Sequence, residues 1–238
     1  MTHVTVVGAG FAGCEAAWTL AQNGIPVTLW EMKPQKFSPA HHSPDFAARI
    51  CSNSFKASRL ESAAGLLKAE MERLGSLCVP CAKETAVAAG GALAVDRDRF
   101  SALVTEKIRN HPLITVREGE ITEIPDGNVI IATGPLTSEA LSAAIGELIS
   151  AEYLSFFDAA APIVEASSID MDKVFFAARY GRGDDDYINC PFDKESYEKF
   201  AEELANAESV ELKEFEKRDF KVYEGCMPIE VMARRGAD

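Results

Sequence analysis

The apolar positions of this chain fall first into an unbroken run, Val4 to Val7, that stops at Gly8-Ala9-Gly10-Phe11-Ala12-Gly13. Ala16, Ala17, Leu20 and Ala21 then recur at helical spacing, and a second run, Val27-Thr28-Leu29-Trp30, ends in Glu31. The pattern predicts a strand, a glycine turn, a helix, a strand and an acid. From Met32 to Ser58 the periodicity is lost among Pro34, Pro39, Pro44 and the adjacent His41 and His42. That stretch predicts a long loop of the kind that carries function. Helical spacing returns at Leu60, Ala63, Ala64, Leu67, Met71 and Leu74 and stops at Gly75. Residues 90–96 read as a turn and short strand, with Asp96 capping a helix whose Phe100, Leu103, Val104, Lys107 and Ile108 share one face.

Residues 114–116, 120–124 and 128–131 read as successive strands, with Asp126-Gly127-Asn128 as a hairpin signal. The last of them delivers Thr133 and Gly134 into a turn, where a backbone can approach a ligand closely. Residues 136–148 predict a helix, and 156–164, 174–176 and 187–192 predict strand material. Residues 193–205 predict an acidic amphipathic helix with Tyr197, Phe200, Ala201 and Leu204 on its apolar face.

The first thirty-one residues carry chemistry. Gly8 permits a sharp turn, Gly10 lets the backbone approach a pyrophosphate, and Gly13 lets helix and strand pack closely. The helix start offers unpaired N–H groups and the positive end of its dipole to an anion. Glu31, 18 positions after Gly13, is placed to accept hydrogen bonds from a ribose hydroxyl. The pattern predicts dinucleotide binding without separating FAD from NAD(P), although an acid at position 31 disfavours a 2′-phosphate.

Composition sets limits on this picture. Of 238 residues, 47% are hydrophobic and 26% charged, the balance of a globular chain with a real core. No apolar stretch approaches the roughly 18–20 residues of a membrane span, and a core strand opens the sequence without a basic leader region. The expectation is a cytoplasmic protein with no membrane partner. Net charge is −13, which taken whole argues against nucleic acid, yet it is unevenly spread. Residues 184–216 hold twelve acids against three lysines, while 33–59 hold Lys33, Lys36, Arg49, Lys56 and Arg59 against Asp45 alone. That basic loop is compatible with a polyanion held locally.

Six cysteines (Cys14, Cys51, Cys78, Cys81, Cys190, Cys226) are expected as thiols rather than a disulfide framework. Cys78-Val-Pro-Cys81 has the spacing of a zinc knuckle or a redox pair, but a second ligand pair for zinc is missing from the sequence, and structural cysteines are the preferred reading. No metal site is expected.

Seven segments resemble, in order, the folate- and FAD-dependent tRNA (uracil-5-)-methyltransferases of the TrmFO family. They are residues 8–15, Ile50-Cys51-Ser52-Asn53-Ser54, 89–97, 132–137, 157–163, 187–191 and Glu224-Gly225-Cys226-Met227-Pro228-Ile229-Glu230. The resemblance implies an α/β fold: a glutathione-reductase-type FAD-binding Rossmann domain, incomplete here, with a smaller α+β insert domain. Residues 1–136 would form the first part of the FAD domain, 137–219 the substrate-side domain, and 220–238 a return segment carrying Cys226. Gly8 to Gly13, Glu31, Thr133 and Gly134 would bind FAD. The implied reaction forms 5-methyluridine in the tRNA T-loop from 5,10-methylenetetrahydrofolate, with NAD(P)H regenerating the flavin. Cys226 would be the nucleophile and Cys51 its partner, with Arg49 and Lys56 placed by sequence to lower the Cys51 pKa. Family members exceed this chain in length, so a carboxy-terminal half or partner chain is expected to complete the flavin site. Two rivals stand beside this reading: an NADH-dependent flavin or dithiol oxidoreductase using Cys78 and Cys81, and an inactive remnant acting at most as a binding module.

Overall fold

Four parallel strands organise the amino-terminal part of the computed structural model, which describes residues 2–38, 40–50, 52–149, 164–178, 181, 183–208 and 229–236. β1 (Val4–Val7) lies between β2 (Val27–Glu31) and β7 (Asn128–Ile131), and β6 (Ile114–Glu118) flanks β2, giving the order β6-β2-β1-β7. Val4 faces Val27 on one side and Asn128 on the other, and Val27 faces Ile114. Strands with partners on both sides and cover on a face read as continuous apolar runs, as β1 and β2 do.

α1 (Phe11–Gln22) and α4 (Arg97–Arg109) supply that cover. Val6 and Leu29 are wholly buried with Ala17 of α1 and Phe100, Val104 and Ile108 of α4 in one core. Fully burying a valine or leucine side chain stabilises by about 1.5–3 kcal/mol. α1 begins at Gly10, in extended conformation, and ends at Gly24, whose φ is +76°. The Gly24 N–H donates to Ala21 and the Ile25 N–H to Leu20, the paired bonds that close a helix on a left-handed residue. Asp96 caps α4 as its position predicts, accepting from the Arg99 N–H at 3.0 Å.

Between β2 and α4 lies a second, antiparallel sheet in the order β3-β5-β4, made of β3 (Ser54–Ala57), β4 (Ala86–Val87) and β5 (Ala92–Val95). β3 corrects the expectation of an unstructured 32–58. It lacks alternation because its pairing with β5 is irregular between Ser54 and Ala57, where Lys56 takes a φ of +65°. α2 (Ala63–Arg73) forms where its spacing predicts, but its apolar residues do not enter the core: Leu67 and, just past the helix, Leu74 stand exposed. What packs is Gly65, where a Cβ would lie 1.8 Å from the Arg59 carbonyl oxygen.

The expectation of a hairpin at 114–131 is also corrected. β6 and β7 form, but they occupy opposite edges of the parallel sheet, and 120–124 is not a strand. The connection runs from one edge of the sheet to the other, so Gly127 (φ +92°) turns the chain into β7 without pairing it to its predecessor.

Farther along, α5 (Glu139–Ile149) buries Leu141, and β8 (Phe175–Phe176) pairs antiparallel with β9 (Ile188–Asn189), both where strand material is predicted. α6 (Lys194–Ala205), capped by Asp193, carries the predicted apolar positions, of which Tyr197 and Phe200 remain largely exposed. α7 (Ile229–Ala233) follows, and Arg234 Nε donates to the Ala205 carbonyl at 3.1 Å. Of the strand material predicted at 156–164, residues 156–163 lie outside the described residues and Val164 is not in a strand. Among the described residues, no helix is long and apolar enough to cross a membrane.

Candidate functional site

The two backbone turns singled out in the sequence, 8–13 and 133–134, meet at one end of the parallel sheet. Gly8 (φ +97°) donates to the Trp30 carbonyl at 2.7 Å, and Ala132 donates to the Val7 carbonyl at 2.8 Å. A Cβ on Gly8 would come within 2.9 Å of the Ala132 oxygen and the Thr133 Cα; one on Gly13 would lie 1.7 Å from the Gly8 oxygen. Both glycines therefore serve internal packing. Gly10 differs: it is exposed, and a Cβ there would meet nothing within 4 Å. Its open side lies beside the start of α1, whose first N–H groups have no partner within the helix. A bulky residue at position 10 would occupy this space without touching the protein.

Glu31 is buried, and each carboxylate oxygen has a fixed donor. Oε2 accepts from the Ala9 N–H at 2.8 Å and Oε1 from the Lys33 N–H at 3.1 Å. The acid at the end of β2 is thus stapled to the glycine turn at the end of β1, and Glu31 lines the cleft between them. This arrangement occupies the Ala9 N–H, so Ala9 contributes by holding Glu31, while Phe11 and Ala12 open the helix. Gly134 (φ +64°) starts a single helical turn after Thr133, whose hydroxyl lies 2.6 Å from that of Thr137.

The cleft so formed is lined by Gly8, Gly10, Glu31 and Thr133, together with Lys33 and His41, which the sequence reading placed only in a basic loop. Lys33 is buried, and its ammonium donates to the Asp45 carbonyl. Burial pushes its pKa down, and Glu31 opposes that shift. His41 Nδ1 lies 2.6 Å from the Ser38 hydroxyl; burial and then Lys33 push the imidazole pKa down. Glu120, held by Lys36 at 2.7 Å, and Leu141 of α5 complete the far wall. Membership of the basic loop was the one sequence signal for Lys33; none marked Glu120 or Leu141 as cleft residues.

The residues present fit the pyrophosphate and ribose end of a dinucleotide. The open face at Gly10 leaves room for phosphate oxygens, the α1 N-terminus supplies donors and positive potential, and Glu31 offers acceptors to hydroxyls.

Cys78 and Cys81 lie on α3 (Cys78–Glu84), at the helix start that a reactive dithiol would favour, but both are buried. Burial, followed by the nearby Glu15 carboxylate, pushes the Cys78 thiol far up; burial raises Cys81 to about 11 against the pull of Lys107. Glu15 of α1 accepts from the Leu77 and Cys78 N–H groups at 3.0 and 2.8 Å and from the Ser76 hydroxyl. This is the environment of structural cysteines. Among the described residues, no cluster of His, Cys, Asp and Glu has metal-binding geometry. Cys51 and Cys226 lie outside the described residues.

A family model described as "Glucose inhibited division protein A" matches residues 3–238. The chain belongs to that family. Within it, the chain is 58% identical over 233 residues to the methylenetetrahydrofolate–tRNA-(uracil-5-)-methyltransferase TrmFO of Brevibacillus brevis, covering 98% of this chain and 53% of that protein. It is 59% identical over 237 residues to the protein of the same name from Geotalea uraniireducens, covering 99% of this chain and 54% of that one. The chain thus spans about half the length of the curated relatives it matches. Among solved structures, Aquifex aeolicus GidA aligns with a TM-score of 0.43 at 18% identity, covering 53% of this chain and 21% of that one.

Proposed function

We propose that this chain forms the amino-terminal part of a FAD- and folate-dependent tRNA (uracil-5-)-methyltransferase. The observation that carries the reading is the convergence of Gly10, the α1 N-terminus, Glu31 and Thr133 on one cleft, in a chain 58–59% identical to proteins of that name. The α1 N-terminus would hold the pyrophosphate and Glu31 the ribose of FAD. When bound, the flavin supplies reducing equivalents, renewed by NAD(P)H, for a one-carbon unit delivered by 5,10-methylenetetrahydrofolate.

The chain's own residues would do the rest. C5 of uracil is a poor nucleophile until a group adds at C6, and a thiolate adds well. Cys226 is assigned that addition. Cys51 is assigned the partner role, removing the C5 proton or assisting the one-carbon unit. The C6 adduct lets C5 bond to the one-carbon unit as that unit's bond to the folate nitrogen breaks; loss of the C5 proton and expulsion of the Cys226 thiolate from C6 then restore the ring. The tRNA is the polyanionic partner, and the protein works in the cytoplasm.

The proposed division into 1–136, 137–219 and 220–238 places its first boundary within the cleft wall, since Thr137, Ser138 and Leu141 line the same space as Gly8. A polypeptide corresponding to the remaining half of the relatives would complete the flavin site.

The reading is tested by co-expressing this chain with that half from the Brevibacillus brevis relative and following label from methylenetetrahydrofolate into tRNA. Cys226→Ala is expected to abolish incorporation and keep FAD bound; undiminished transfer by that variant would remove Cys226 as nucleophile. The dithiol alternative expects tRNA-independent NADH oxidation lost on replacing Cys78, which the burial of that thiol disfavours.

A further inference from the structure

The rim of the cleft opposite the glycine turn is closed by side chains that the flavin reading does not use. β2 ends at Glu31 and β6 at Glu118; the two are parallel neighbours, so the chain leaves both in the same direction. The Gly119 N–H donates to the Glu31 carbonyl at 2.8 Å and the Gln35 amide to the Glu118 carbonyl at 3.3 Å, which keeps the two exits side by side. The Lys36 N–H donates to the Met32 carbonyl at 2.9 Å and closes the 32–36 turn. From that turn the Lys36 ammonium reaches both carboxylate oxygens of Glu120 at 2.7 Å.

Glu120 carries the connection to the opposite wall. Hydrogen bonds from Lys36 and then from the Ser138 hydroxyl hold its carboxyl below the ordinary value. The Ser138 carbonyl accepts from the Ser142 N–H at 2.8 Å, at the start of α5, whose buried Leu141 lines the cleft. Beside Ser138, the Thr137 hydroxyl donates to the Gly134 carbonyl at 2.7 Å and lies 2.6 Å from that of Thr133, just past β7. β6 and β7 are opposite edges of the parallel sheet. One carboxylate thus joins the turn that follows β2 to the helix that follows β7, and Glu120 and Ser138 line the same space as Gly10 and Glu31.

We propose that Glu120 is a positioning residue of the flavin site, a two-armed clasp whose contacts with Lys36 and Ser138 hold the walls after β2 and β7 at the spacing that retains FAD. The inference rests on the flavin reading above. Glu120 acts through the walls it joins. An exposed ion pair adds little to folding stability, and the Lys36 side chain stands half in solvent, so the clasp opens without unfolding the chain. What it sets is escape, since differences in affinity at one site lie mostly in the off-rate. The sign of the charge separates this role from a general field effect. Glu120→Lys makes the cleft more positive, which by field alone favours an anionic cofactor. Loss of the clasp speeds its departure instead.

The test uses this chain co-purified with the remaining half from the Brevibacillus brevis relative and loaded with FAD, with flavin loss on dilution followed by fluorescence. Glu120→Lys and Lys36→Glu each set like charges against one another at the rim, and each is expected to speed FAD loss about three- to fivefold, the upper end of what an exposed pair contributes. The exchange Lys36→Glu/Glu120→Lys restores the pair, and the Ser138 hydroxyl accepts from a lysine as readily as it donates to a carboxylate. FAD loss by the exchanged complex should return to within about twofold of the unaltered rate. Lys36→Met, a neutral change at a half-exposed position, guards against misfolding of the reversed variants. Salt screens the pair only where both charges are present, so raising it should speed FAD loss less in Lys36→Met than in the unaltered complex. Loss at the unaltered rate in Glu120→Lys, no recovery in the exchange, or equal salt dependence in Lys36→Met overturns the assignment. No FAD bound by the unaltered complex overturns the flavin reading and the clasp with it.

Discussion

Glu31 does its work through two backbone donors held 2.8 and 3.1 Å from its oxygens. Glu31→Gln keeps the shape but turns an NH2 toward either Ala9 or Lys33, leaving a buried N–H without an acceptor. An orphaned donor of this kind costs about 1–3 kcal/mol, so the urea midpoint should fall by that equivalent with an unchanged slope. The buried thiols allow a second prediction. Cys81 titrates near 11 in the folded chain against an ordinary 9.0, so the unfolded chain loses its proton first as pH rises. The stability this thiol contributes is complete below pH 9 and is lost between 9 and 11, at about 1.4 kcal/mol per pH unit. Cys14 and Cys78, also pushed up by burial, act in the same direction. Denaturation followed from pH 8 to 11 checks the slope; a flat profile would show that these thiols are not buried. Lys33 and His41 were legible only as loop residues, because their place in the cleft depends on the 32–47 segment folding back onto Asp45 and Ser38.

At the scale of elements, β1, α1 and β2 were legible because each signal is local: two apolar runs, a glycine at each demanding position and an acid at the end. Asp96 was legible for the same reason, one cap three residues before the N–H it serves. The neighbours of β6 and β7 were not. Alternation reports which side chains share a face, not which strand lies alongside, and both strands pair across more than eighty residues of sequence. β3 escaped because a register irregularity between Ser54 and Ala57, with Lys56 at positive φ, removes its period. Two substitutions probe the joints between elements. Gly13→Ala drives a Cβ into the Gly8 carbonyl of the preceding turn, and overpacking against backbone is expected to cost about 3 kcal/mol. Glu15→Ala frees the start of α3, with two backbone N–H groups and the Ser76 hydroxyl losing a charged acceptor; a loss of about 2–3 kcal/mol is expected, with faster amide exchange at Leu77 and Cys78.

For the whole molecule, the glycine turn, Glu31 and Thr133 gather at one end of the parallel sheet, where strand termini and the first turn of α1 leave a cleft. The family is shown along nearly the full chain, whereas the chain spans about half of its curated relatives, so dinucleotide binding is the claim this chain can answer for by its own residues. Gly10 gives the cleanest access to it. A Cβ there meets no protein atom, so Gly10→Val should leave stability within about 1 kcal/mol, the loss expected for an apolar residue at a helix cap. The decisive measurement is a titration with FAD, followed by flavin fluorescence, of this chain co-purified with the remaining half from the Brevibacillus brevis relative, for the unaltered chain and Gly10→Val. Binding is expected to be saturable and weakened at least about tenfold by the valine, equivalent to about 1.4 kcal/mol, with the fold intact. Equal affinity with the unaltered chain and with Gly10→Val, or no saturable binding by the unaltered complex, would contradict dinucleotide binding at this cleft.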